Sequence, residues 1–296
     1  MDWDHLRYFL ELARMRKLSA AARRLDVQHT TVSRRIRALE QIVGAPLFTR
    51  SGGEYLVSEA GRRLLPQVEA MEAASLAVLG TAPARDGELS GVVRVGATEG
   101  FGTVVLAPLL ARFAQAHPQL VVDLLPLPRN VNLSQREADI VVSLERPVRG
   151  NAVAARLCDY VLRLYASPDY LALHPPIRSR DDLPQHSFIS YIDDLLFSKE
   201  LRYLAELCRP QRYALRSTSV LAQHQAVALG AGIGVLPAFL ADGDARLCAV
   251  LPEEAQFVRT FWISMPKENR SIARIQTIWS LLRSSVQTDK RLRPPV

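Results

Sequence analysis

Ser19-Ala20-Ala21-Ala22-Arg23-Arg24-Leu25, Asp26-Val27 and Gln28-His29-Thr30-Thr31-Val32-Ser33-Arg34-Arg35-Ile36-Arg37 form the stretch that decides the reading of this chain. The alanine-rich segment predicts a short helix with Ser19 as its N-cap, small enough along one face for another helix to come close. Asp26-Val27 interrupts it. The next segment places Val32, Ile36, Leu39 and Val43 at helical spacing, while its opposite face carries His29, Thr30, Thr31, Ser33, Arg34 and Arg37. A merely solvated helix face is usually filled with Glu and Lys, of which this one is short. Two short helices joined by a tight turn, the second lined with hydroxyls and arginines, predict a helix-turn-helix whose partner is double-stranded DNA.

Working outward, Trp3 to Met15 puts Leu6, Phe9, Leu10 and Ala13 on one face of a preceding helix. Downstream, Gly44-Ala45-Pro46 ends the third helix. Leu47–Arg50 and Tyr55–Val57 then flank Ser51-Gly52-Gly53-Glu54, which predicts a hairpin wing with Arg50 at its base, in reach of a phosphate or minor groove. Ser58 is placed to cap a long helix running to about Thr81, although Gly61 stands where a capping box wants Glu or Gln. Val57, Gly61, Leu64, Val68, Met71, Ser75 and Val78 alternate by four and three, the seam of a short coiled coil, with Pro66 inside it. Thr81 to Gly87 has the Pro, Gly and small residues of a hinge.

From Val92 onward strands and helices alternate. Strands are expected at Val92–Ala97, Leu120–Leu125, Asp139–Leu144, Val161–Ala166, Gln211–Arg216, Gly232–Leu236 and Phe257–Ser264. Helices are expected at Phe101–Ala116, Val220–Leu229 and about Arg270–Val286. The alternation predicts an α/β fold with largely parallel sheets. A chain leaving a first unit near Cys158 and returning after Met265 makes two lobes with a cleft. Open α/β sheets bind ligands beyond the C-terminal ends of their strands, which selects Thr98 with Glu99, Arg129 with Asn130, and Thr218 as pocket candidates. The helix start at Thr98 favours an anion, although Glu99 is itself able to neutralise that helix end.

Composition fits this organisation. The 296 residues are 48% apolar and 23% charged, ordinary for two or three folding units. Up to Leu65, twelve basic residues face seven acidic ones, so +5 of the +7 formal charge lies in the first fifth of the chain. Such an excess of arginine points to a polyanion. No apolar run approaches the roughly 20 residues that span a bilayer. Met1-Asp2-Trp3-Asp4 is acidic and leads straight into a helical pattern, unlike a secretory signal. A soluble cytoplasmic protein without a membrane partner is expected. Cys158, Cys208 and Cys248 form no CxxC pair and the six histidines are scattered, so no metal or other cofactor is indicated. Cys208 beside Arg209 is the candidate for a redox-sensing thiol, against the plainer reading of three small semi-buried residues. Gly96 to Gly102 contains GxxxGxG after a strand, but it lacks the GxGxxG order of a dinucleotide loop. No signature joins a nucleophile to a base or pairs two carboxylates, so no catalytic residues and no enzyme are expected.

The chain resembles the LysR-type transcriptional regulators. The resemblance rests on Ser19–Leu25, Thr31–Ile36, Leu39-Glu40, Leu47–Arg50 and Ser58-Glu59-Ala60-Gly61, and more diffusely on Gly96-Ala97-Thr98, Phe113–Pro118, Ala138-Asp139-Ile140 and Gly230–Pro237. It departs from the family at Gln28, where Ser or Thr usually caps the recognition helix, and at His29-Thr30. The operator sequence therefore does not carry over. The resemblance implies an α/β protein with an all-α, winged-helix N-terminal domain at 1–58, a linker helix and hinge at 59–90, and a two-lobed effector domain at 91–296. That domain resembles periplasmic binding proteins, with lobe I at about 91–160 and 266–296 and lobe II at about 161–265. Ser19, Gln28, His29, Thr30, Thr31, Ser33, Arg34, Arg35, Arg37 and Arg50 are the expected DNA contacts, on an interrupted inverted repeat. A polar or anionic effector, a homodimer or homotetramer, and RNA polymerase are the other partners expected. The alternatives are a redox- or protein-responsive regulator of the same architecture and a small-molecule-binding transport protein.

Overall fold

The computed structural model describes residues 3–80, 89–129, 137–147 and 152–292. Contacts divide the chain into one compact unit at Met1–Pro83 and another made of Ala84–Leu133 with Glu137–Val296.

In the first unit, helices α1 (Trp3–Met15), α2 (Leu18–Leu25) and α3 (His29–Val43) precede a hairpin of β1 (Phe48–Ser51) and β2 (Glu54–Val57). Helix α4 (Glu59–Gly80) follows. Leu6, Phe9, Leu10, Val32, Ile36 and Leu39 are buried together, with Leu47 and Phe48 closing the cluster. Ala13 and Val43, expected on the same faces, are only partly buried and exposed respectively. Ala21 and Ala22 are buried, the close approach their small size permits. Asp26 takes a left-handed conformation (φ 53°) and ends α2, which makes the turn tight. Gly52 and Gly53 both have positive φ between paired Ser51 and Glu54, the two-residue turn whose twist matches a hairpin.

Ser19 is not an N-cap. Helix α2 starts one residue earlier, at Leu18, with Lys17 at the cap and no side-chain cap bond. Arg16 turns left-handed (φ 54°) and donates its N–H to the Leu12 carbonyl, ending α1. The chain thus re-enters a helix early enough for Leu18 to pack on the core. Burying a leucine outweighs one hydroxyl cap.

Ser58 does cap α4: its hydroxyl accepts the Gly61 N–H at 3.1 Å and donates to the Pro46 carbonyl at 2.6 Å. A Cβ on residue 61 would lie 2.4 Å from the Leu47 carbonyl oxygen, which is why glycine replaces the usual Glu or Gln. The helix continues through Pro66. Only part of the expected seam is available for another helix. Val68 is fully buried in the unit's own core, and Val57 and Leu64 pack against it, while Met71 and Ser75 are exposed. Arg14 holds α4 from α1 by donating to Glu72 at 2.6 Å and 3.2 Å, and it also donates to Glu11. The Val78 side chain and the expected hinge at Thr81–Gly87 lie outside the described residues.

The second unit contains β3 (Gly91–Thr98), α5 (Glu99–Phe101), a π-helical turn (Gly102–Leu106), α6 (Ala107–Ala116), β4 (Leu120–Leu127), β5 (Ile140–Ser143) and β6 (Ala152–Ala166). These are followed by α7 (Pro168–Leu173), β7 (Ser187–Ser190), α8 (Leu204–Leu207), β8 (Arg212–Arg216), α9 (Val220–Ala228) and β9 (Ile233–Pro237). The last elements are α10 (Ala238–Ala241), β10 (Cys248–Val250), β11 (Gln256–Pro266) and α11 (Ala273–Thr288). The sheet runs β4-β3-β5-β11-β6-β9-β7-β8, with β10 on β6. It is mixed rather than largely parallel. β3 pairs in parallel with β4 and β5, and β7 with β8 and β9, but β11 is antiparallel to β5 and β6, and β6 to β9. Two parallel half-sheets are thus joined through one long antiparallel pair, β6 and β11. Their register shifts between Phe261 (opposite Cys158) and Trp262 (opposite Arg156), leaving Leu157 as an extra residue in a bulge. Strand β6 starts at Ala152, well before the expected Val161, because Arg156 and Asp159 break the apolar run that marked only its second half. Strands β7 and β10, with four and three residues, were not expected.

Candidate DNA interface and effector pocket

Gln28 stands at the N-cap of α3 with no side-chain cap bond. Around the first turns of the helix Gln28, His29, Thr30, Arg34 and Arg37 are exposed, and Thr31 and Ser33 half-buried. Arg35 points elsewhere. Its Nη1 lies 3.1 Å from Nε2 of His5, and its guanidinium carbon is 5.9 Å from the Tyr8 ring centre, so it packs α3 on α1. Arg50 is exposed on the wing, stacked 4.7 Å from the Tyr55 ring centre and donating to the Tyr55 hydroxyl. Ser19 is exposed as the second residue of α2. One feature is absent from any local sequence pattern: Glu40 Oε1 accepts the Leu47 N–H at 2.8 Å and ties the wing to α3.

In the second unit a pocket partly open to solvent lies between the half-sheets. Thr98 and Glu99, at the end of β3, and Thr218, just before α9, all line it, as the sequence reading expected. Neither threonine is occupied as a cap. Thr98 precedes α5 without a side-chain cap bond, and α9 is capped by Ser219, whose hydroxyl accepts the Ala222 N–H. Arg129 does not line the pocket. It pairs with Glu137 at 3.0 Å, and Asn130 lies outside the described residues.

Most of the lining was missed by sequence reasoning. Tyr160, Tyr191, Tyr203, Phe101, Phe239 and Phe261 come from strands, short helices and loops far apart in sequence, so no local spacing marks them. Tyr160 and Phe261 stack with centroids 4.2 Å apart on the paired strands β6 and β11. Burial pushes the phenols of Tyr160, Tyr191 and Tyr203 upward, so all three stay neutral at physiological pH. Among the lining residues Glu99 is the one acidic side chain, and none is Arg, Lys or His. Among the described lining residues there is thus no cation to meet an anionic effector. Ser219 donates its hydroxyl to Glu99 Oε1 at 3.0 Å, and the other carboxylate oxygen is buried without a hydrogen-bond partner. A Cβ on Gly100 would meet Val220 at 2.8 Å, so the start of α5 and the start of α9 are in close approach.

Burial disfavours the reactive thiolate form at all three cysteines. Burial pushes the thiols of Cys158 to about 12 and Cys208 to about 11, and raises Cys248 as well. Arg209 does not lower Cys208, because desolvation is the influence acting on it. Among the described residues no group of three or more His, Cys, Asp or Glu is placed to hold a metal. No described helix is long and apolar enough to cross a membrane.

A helix-turn-helix with a wing, joined in one chain to an α/β domain with a pocket between its two half-sheets, defines a DNA-binding regulator controlled by a small molecule. Comparison with known proteins specifies the class. Residues 3–62 match the bacterial regulatory helix-turn-helix protein of the lysR family, and residues 86–287 match the LysR substrate binding domain. The chain belongs to the LysR family of transcriptional regulators. It is 27% identical over 260 residues to the HTH-type transcriptional regulator PtxR of Pseudomonas aeruginosa, covering 85% of this chain and 82% of that one. It is 29% identical over 244 residues to the Mau operon transcriptional activator of Paracoccus denitrificans, covering 81% of each. The fold is similar to that of a full-length OxyR variant from Pseudomonas aeruginosa (TM-score 0.70, 20% identity, 99% of this chain and 100% of that one). It is also similar to CrgA from Neisseria meningitidis (TM-score 0.59, 22% identity, 97% and 99%).

Proposed function

We propose that this cytoplasmic, non-enzymatic regulator reads an interrupted inverted repeat through α3 and the wing, as a homodimer or homotetramer. Its effector binds between the half-sheets, against Thr98 and Thr218. Gln28, His29, Thr30, Thr31, Ser33, Arg34 and Arg37 face the major groove, Arg50 and Ser19 contact backbone phosphates, and Arg35 positions α3. The exposed Met71 face of α4 is the surface offered to a second subunit, and RNA polymerase is the partner when the protein activates. The observation that carries the effector reading is that hydroxyls from two half-sheets, neither used as a helix cap, converge on one pocket. A ligand touching both biases the relation between the halves by its differential affinity. The raised thiols favour this reading over a redox-responsive one. Selecting bound fragments from genomic DNA yields the operator and its neighbouring genes, and metabolites of those genes are then screened for a change in operator affinity. Thr98→Val and Thr218→Val should remove that change and leave effector-free DNA binding intact. An effector response that survives both substitutions would move the site elsewhere.

A further inference from the structure

Among the described residues, the pocket lining is rich in aromatic rings and carries one acidic group and no basic one. Glu99 opens α5, so its carboxylate sits at the positive end of the helical segment. Only one of its oxygens has a donor, the Ser219 hydroxyl, while Oε2 is buried and unpartnered. A buried carboxylate oxygen without a donor is a strong demand for one. Arg259, which acts electrostatically on Tyr160 and Tyr203, is engaged with Glu206 at 2.7 Å and Glu200 at 3.5 Å. Tyr191, which feels the Glu99 charge, and the other lining aromatic residues supply rings of the kind that attract an organic cation.

From this arrangement we infer that the effector is a small organic cation, a protonated amine on a compact aromatic or apolar body, with its N–H donated to Glu99 Oε2. The inference rests on the reading of the pocket as the effector site and fixes the sign of charge the site takes. It reverses the expectation drawn from the helix start alone. An anion placed there would face Glu99 with no counter-charge among the described lining residues.

Three probes of nearly one shape separate the possibilities: phenethylamine, 2-phenylethanol and 3-phenylpropionate, titrated by calorimetry into the full chain. Phenethylamine should bind at least about tenfold more tightly than either other probe, the margin of one charge-assisted hydrogen bond. Glu99→Gln keeps the shape and should erase that preference, whereas Ser219→Ala keeps the charge and should retain it. If Glu99→Gln melts early, the Ser219→Ala comparison and the three wild-type affinities still decide the matter. Equal or tighter binding of the alcohol or the acid, abolished by the blocking change Thr218→Phe, overturns the charge inference and leaves the pocket reading standing. Phenethylamine binding that neither Glu99→Gln nor Thr218→Phe alters overturns both. No heat from any probe at millimolar concentration also overturns the inference.

Discussion

Gly61→Ala adds one methyl group where the linker helix leaves the wing, and two physical effects oppose each other there. Within a helix, alanine is favoured over glycine by about 1 kcal/mol. Packing acts the other way. The new Cβ would stand 2.4 Å from the Leu47 carbonyl oxygen and 2.7 Å from a Val57 methyl. The same carbonyl accepts the Ser58 N–H at 2.9 Å, so it is fixed from both sides. A backbone oxygen cannot rotate away as a side-chain end does, and the wing and α4 must part by about 1 Å to reach ordinary contact. Overpacking of this kind costs about 1–3 kcal/mol, and weakening the Ser58 cap adds about 1 kcal/mol. The net expectation, after the helix gain, is a loss of about 1–3 kcal/mol. In a unit of this size each kcal/mol lowers the melting temperature by about 4–8 °C. Scanning calorimetry of the full chain measures the shift, and a gel-shift titration on a selected operator fragment should show weaker binding, because the wing is displaced. A melting temperature equal to or above that of the unaltered protein would refute the reasoning, since the helix term would then have won.

Other perturbations separate roles that lie side by side. Arg34→Ala should cost about 1–3 kcal/mol of discrimination between operator and random DNA, whereas Arg35→Ala should lower the melting temperature and weaken both together. Competition gel shifts distinguish the two, and equal losses for Arg34→Ala would make its role one of positioning. Met71→Glu should leave the melting temperature unchanged and reduce the particle toward the 32.9 kDa monomer in light scattering. Val68→Asp should instead unfold the first unit, because it places a charge in a fully buried site. Operator affinity should fall steeply with salt in filter binding, as released counterions require, and a flat titration would contradict phosphate contact. Mild peroxide should leave operator binding unchanged, and a loss prevented by Cys208→Ser would restore the redox reading.

What was legible in the sequence was local. The three N-terminal helices show through Leu6, Phe9, Val32, Ile36 and Leu39 because a 3.6-residue period is recorded within a few turns. The wing shows through Gly52-Gly53, since few other residues allow two consecutive positive φ angles. Thr98 and Thr218, which line the pocket, were singled out because the ends of strands in α/β sheets place ligands by topology. The misreadings arose where a distant contact decides. Spacing by three and four along Val57, Leu64 and Val68 is the same whether a helix faces a partner or its own core, and the core took these residues. Ser19 lost its capping role to the burial of Leu18. Arg129 found Glu137, which no pattern links to it. The aromatic lining assembles from segments that only the folded sheet brings together, so no local pattern marked it.

The same geometry suggests how a ligand works as a switch. Among the described residues the half-sheets are joined through the long strands β6 and β11, and their bulge at Leu157 stands near Tyr160 and Phe261, which line the pocket. Any motion at the bulge would be felt at the pocket walls. Across the cleft, the Ser219 hydroxyl donating to Glu99 links the start of α9 to the start of α5. A neutral hydroxyl donating to a carboxylate contributes about 1.5–3 kcal/mol, similar to what an ammonium donor contributes. If the ligand takes only the free Oε2, both bonds coexist and the ligand fastens the halves as they stand. If it draws the carboxylate from Ser219, it exchanges one cross-cleft bond for another and loosens the start of α9. The equilibrium between halves shifts only by the difference between those outcomes, so roughly 1.4 kcal/mol, or tenfold, is the scale of response that one bond supplies. Ser219→Ala distinguishes the two directions: it should weaken the effector response if the ligand displaces the hydroxyl, and leave it unchanged if the ligand adds to it.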